Sequence, residues 1–145
     1  MRSILAAITM VSATTAFADN LEDLKAASVR YVAAIKVALT ISDDSDSPEL
    51  VVKANDYAAV KIAYYTAARK AMPALLQMAK GQKSDTSYAN EITEIFRGFG
   101  EDRDEEAMGA LEAKLNRCPT SDQRNQARLA GERAKQTAEQ FVEDF

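Results

Sequence analysis

Residues 48–80 read PELVVKANDYAAVKIAYYTAARKAMPALLQMAK, and this stretch decides the fold. Apolar or small residues recur at Val51, Ala54, Ala58, Ile62, Tyr65, Ala68, Met72, Leu75 and Ala79, in steps of three and four. That is the period of a helix with one buried face, and no strand alternation competes with it. Ser47 precedes Pro48 as an N-cap before a proline at the first helical position, where its missing N–H costs nothing. A helix from Pro48 toward Lys80 spans roughly 45 to 50 Å at ~1.5 Å per residue. Pro73 falls inside it, removing one backbone hydrogen bond and crowding the turn before it. The apolar line continues in register through Leu75, Leu76 and Ala79, so a kink is expected rather than a break, with Gly81 closing the helix.

The same period extends in both directions. Leu24, Ser28, Tyr31, Val32, Ile35 and Leu39 mark a helix from about residue 20 to residue 41, followed by the acidic loop Ser42 to Ser47. Beyond Gly81 a short helix is expected over 85–97, with Tyr88, Ile92, Ile95 and Phe96 inward, glycines 98 and 100 ending it and Phe99 as an anchor. Asp102 and Glu105 have the spacing of a capping box for a helix carrying Met108, Leu111 and Leu115, which Pro119 ends. Thr120 and Gln123 repeat that spacing before a last helix with Ala127, Ala130, Ala134, Ala138, Phe141 and Phe145 on its buried side. Four alanines at core spacing bury little area, so Phe141, Val142 and Phe145 are expected to hold this helix. Short loops between such elements predict an all-α, up-and-down bundle of four to five helices.

The N-terminus carries a different message. Arg2 is followed by the apolar run Ile4 to Val11 and by Ala16-Phe17-Ala18, the pattern of a secretory signal with an A-x-A cleavage site. Residues 1–18 are therefore read as a signal peptide and 19–145 as one domain beginning at Asp19, large enough to build its own core. No second stretch approaches the ~20 apolar residues of a membrane span. The mature chain is expected in the bacterial periplasm, or secreted.

Composition narrows the chemistry. Of 145 residues 27 are alanine, histidine and tryptophan are absent, and Cys118 is the single cysteine. Without imidazole there is no Ser-His-Asp triad, no Cys-His pair and no Glu-x-x-His di-iron site. Haem attachment lacks C-x-x-C-H and the usual axial ligand. No Ser-x-x-Lys spacing occurs, and Gly98-Phe99-Gly100 follows a helix and lacks a third glycine. Asp43, Asp44 and Asp46 depart from the calcium-loop pattern at Pro48 and Glu49, and the acidic run Glu101 to Glu106 is equally ill spaced. Both clusters are expected to serve the positive ends of helix dipoles. Neither a cofactor nor a metal is expected.

Charge is segregated, with residues 53–83 net +5 and residues 85–106 net −6. Neighbouring helices of opposite sign neutralise one another in such a bundle, or the dipolar surface meets a partner. Lys53, Lys61, Arg69, Lys70, Lys80 and Lys83 are spaced around their helix without a stacking platform, so nucleic acid is not expected.

Two features are candidates for function. Tyr57, Tyr64 and Tyr65 stand beside Tyr31 among alanines, either lining a small-ligand pocket between the first two helices or filling the gaps with hydroxyls at the rim. Cys118, in line with Met108, Leu111 and Leu115 or just past them, is either a small core hydrophobe or the point of an intermolecular disulfide. Glu91 and Glu94, one turn apart, have a spacing too common to mark a catalytic pair. The expected function is a non-enzymatic, exported bundle acting through a protein partner or as a homodimer. The alternative is a small-molecule carrier using Tyr31, Tyr57, Tyr64 and Tyr65.

Overall fold

The structure is a computed structural model that describes residues 2–42, 47–81 and 101–144, and the side chains of 19–42, 48–77 and 103–144. Within them the chain is all-helical: α1 (Arg2–Thr40), α2 (Ser47–Gly81), α3 (Glu101–Arg117) and α4 (Asp122–Asp144). The helix expected over 85–97, the Phe99 anchor, the acidic triplet of the first loop and the pair Glu91 and Glu94 lie outside the described residues. Helix α1 begins at Arg2 and runs continuously past residue 20, where the sequence pattern placed its start. No described helix is long and apolar enough to cross a membrane.

Helix α2 is the hub. It packs most extensively on α1, then on α4, while α3 rests on α1 and touches α2 and α4 less. Two lines of α2 are therefore buried. Val51, Ala54, Ala58, Tyr65, Ala68 and Leu75 follow the expected line, and Leu50, Tyr57, Lys61, Tyr64, Ala71 and Ala74 form a second beside it. A helix with partners on two sides loses the clean amphipathic stripe of a surface helix, and small residues let the neighbours approach closely. Helix α2 is unbroken through Pro73, which lies on its exposed side.

On α1 the core residues are Leu24, Ala27, Ser28, Tyr31, Ile35 and Ala38, with Val32 and Leu39 only half-buried. The stripe thus leans toward alanines that bring α2 near. On α3 the expected Leu111 and Leu115 are joined by Ala107. Its last turn ends as expected before Pro119, with the Cys118 N–H donating to the Leu115 carbonyl at 3.1 Å.

The start of α4 corrects the expected capping box. Ser121, not Thr120, is the cap: its Oγ accepts the Arg124 N–H at 3.1 Å. Thr120 instead receives the Arg124 guanidinium at 3.0 Å. A second correction concerns what holds α4. Ala127, Ala134 and Phe141 are its buried residues, whereas Val142 is exposed because it lies one position round the helix from Phe141. An ion pair of 2.7 Å between Arg69 and Asp144 adds a polar tie near the helix end.

Candidate functional site

Among the described residues, the most concentrated chemistry is gathered where α1, α2 and α3 meet. Tyr57 and Lys61 stand four apart on α2 and therefore one above the other. Tyr31 comes from α1 and Asp104 from the first turn of α3. The Tyr31 and Tyr57 hydroxyls both donate to Asp104 Oδ1. Lys61 Nζ donates to Asp104 Oδ2 at 2.8 Å. Lys61 is only 4% exposed, so this is a buried ion pair with two phenols attached to its anion.

The electrostatics follow from that placement. Burial opposes the charge on Asp104, but the hydrogen bonds from Lys61, Tyr31 and Tyr57 outweigh it and hold the carboxyl below its usual range. Burial, then the neighbouring Asp104, push the Tyr31 and Tyr57 hydroxyls well above theirs. Tyr64 is raised by burial and then by Tyr65. The phenols thus stay protonated and the carboxylate stays charged across the neutral range. Three donors on one carboxylate leave it little basicity, and together they tie α3 to the α1–α2 pair.

All four tyrosines singled out by the sequence are brought together. Tyr31 stacks on Tyr64 with centroids 4.9 Å apart and planes at 14°. Tyr65 meets Tyr64 edge-on at 5.2 Å and reaches Phe141 of α4 at 5.6 Å. A column of rings therefore crosses the bundle from α1 to α4, in stacked, edge and tilted geometries in turn. The Tyr31 and Tyr57 hydroxyls point to Asp104.

Clefts also open among the described residues. One of about 490 Å³ runs along the outer seam of α1 and α2, beside Asn20, Asp23, Ala63 and Lys70. Another, of about 200 Å³, lies between α2, α3 and α4, and Tyr57 is the tyrosine that lines it. Cys118 sits just past α3, half-buried against the core, and its Sγ donates to the Lys114 carbonyl at 3.4 Å. No group of three or more His, Cys, Asp or Glu side chains gathers for a metal among the described residues.

Asp104 and Lys61 were not singled out from sequence. Asp104 hides among five other charged residues over 101–106, where a helix start already accounts for acids. Lys61 carried a signal that could have been used: it stands on the line of Tyr57 and Tyr64, a lone charge on a face otherwise fit for burial, and a buried charge demands a partner. Comparison with models of protein families, with curated proteins and with solved structures finds no match to this chain.

Proposed function

We propose that this chain is an exported, non-enzymatic helical bundle that works by protein–protein contact, pairing with a second copy through the outer face of α1. The observation that carries this is a line of aliphatic residues pointing away from the core. Ala26, Val29, Ala33 and Val37 are spaced by three and four on the side of α1 opposite Leu24, Ser28, Tyr31 and Ile35. Val29 is 70% and Val37 50% exposed. An outward face would ordinarily carry charge, and a second stripe at helical spacing is what a partner helix uses.

Charge along the same face favours the chain's own copy. The N-terminal part carries Glu22 and Asp23, the C-terminal part Arg30 and Lys36, all exposed. In an antiparallel pair about a two-fold axis near Val29, Glu22 of each copy meets Lys36 of the other. Such an isologous contact needs a surface complementary to itself, and this face is. The local pair of Glu22 with Lys25 at 3.3 Å is exposed and competes weakly. Cys118, half-buried against the core just past α3, is not needed for this contact, which is therefore expected to be insensitive to reductant.

Within this proposal the helices form an up-and-down bundle bent at Pro73. Asn20 bonding to the Lys70 carbonyl, Lys114 to the Ile41 carbonyl and Tyr65 packing on Phe141 support that order. The removal of residues 1–18 and a periplasmic or secreted address rest on the N-terminal pattern. Native mass spectrometry of the protein recovered from its own cells tests both parts. A dimer of chains beginning at Asp19, unaffected by reductant, is expected. Chains retaining Met1 would overturn export, and a monomer at high concentration would overturn pairing.

A further inference from the structure

The helices do not close completely where α2, α3 and α4 meet. The cleft of about 200 Å³ there has an apolar floor that includes Tyr57 of α2, Met108 and Leu111 of α3, and Ala127 and Gly131 of α4. Its existence follows from the sequence of α4, which presents its two smallest residue types one turn apart at this place. A Cβ built on Gly131 meets no atom within 4 Å, so the space is not taken up by neighbouring side chains. Cavities of roughly 150 Å³ with apolar walls already accept a benzene-sized molecule, so this one has room for a single aromatic ring system.

The rim selects further. Glu112 of α3 and Arg128, Glu132 and Lys135 of α4 surround the opening, two anions and two cations. Balanced charge offers no net attraction to an anion or a cation, while the floor rewards burial of apolar area. Tyr57 brings ring surface for an aromatic partner, and Met108 brings a flexible thioether that adapts to the shape of what enters. We propose that this cleft is a binding site for a net-neutral aromatic molecule about the size of indole. The site lies away from the outer face of α1 and does not depend on whether two copies pair.

Indole itself is the probe. In the full-length protein carrying 13C-methyl methionine, titration should shift the Met108 methyl saturably, with a Kd of about 1 mM or tighter. Met72, which lines neither cleft, should not move with it. Gly131→Leu places a side chain in the cleft and should weaken binding at least tenfold while helicity by circular dichroism is kept; Gly131→Ala, which extends only a methyl into open space, should weaken it less. No saturable Met108 shift in the wild type, or wild-type affinity in either folded variant, would overturn the site. Tighter binding of indole-3-acetate than of indole would overturn the assignment of a neutral ligand.

Discussion

Replacing Asp104 by alanine takes one carboxylate away from three donors at once. Lys61, 4% exposed, is left with its Nζ facing two phenols and no anion, and the Tyr31 and Tyr57 hydroxyls lose their shared acceptor. Breaking a buried ion pair by deleting one partner costs about 3–5 kcal/mol, most of it the penalty of the stranded charge. The Asp104 side chain is 16% exposed, so water reaches the gap and the lower half of that range is expected. Such a loss is a large fraction of the 5–15 kcal/mol typical of a domain. Urea unfolding followed by far-ultraviolet circular dichroism measures it, as a fall in midpoint at unchanged slope. Lys61→Met alone should cost less, because the carboxylate keeps two phenol donors and some water. The double variant should cost less than the sum of the singles by about 1–3 kcal/mol, the coupling expected of residues in direct contact. A loss below about 1 kcal/mol for Asp104→Ala, judged against the range for buried pairs, would show that the network does not fasten α3. Strict additivity in the cycle would refute the ion pair as its centre.

Further outcomes follow from the same structure. Because the Asp104 carboxyl is held below its usual range, its contribution to stability is complete above pH ~4 and is lost as pH falls through the lower folded value; acid titration of stability should be shallower in Asp104→Asn than in the wild type. Ser121→Ala should lower stability by about 0.5–2 kcal/mol and Thr120→Ala by less in thermal unfolding, since only Ser121 caps α4. Gly109→Ala, on an exposed face of α3 where a Cβ meets nothing within 4 Å, should stabilise by about 0.5–1 kcal/mol through helix propensity. Ala134→Leu, at a position with no exposure, should destabilise by about 1–3 kcal/mol because the larger side chain has to displace its neighbours.

Much of this architecture was legible in the period of the sequence, and the exceptions have physical causes. The line from Val51 to Leu75 announced α2 because a helix packed along its length must repeat every three or four residues. Its second buried line was less visible, since alanines and a lysine fill it and neither type announces burial. The expected cap missed by one residue because Thr120 and Ser121 are both good caps, and the choice between them depends on where the turn after Pro119 lets the chain enter α4. The exposure of Val142 is hard to foresee because a helix end offers no further period to fix its face. The shared spacing of the tyrosines implies a group, and their rings do lie together. The carboxylate that unites two of them comes from α3, about 40 residues beyond the last of them, and only the packing of α3 on α1 and α2 selects Asp104 from a run of acids.

Pairing through the outward face of α1 depends on the charges at its two ends. Sedimentation equilibrium of the full-length protein, of Glu22→Lys, of Lys36→Glu and of the double exchange measures one dissociation constant for each. An antiparallel pair through Val29 predicts that each single change weakens dimerisation several-fold, by placing like charges across the axis, and that the double exchange restores it. A wild type that stays monomeric, or a double exchange no tighter than the singles, would contradict it.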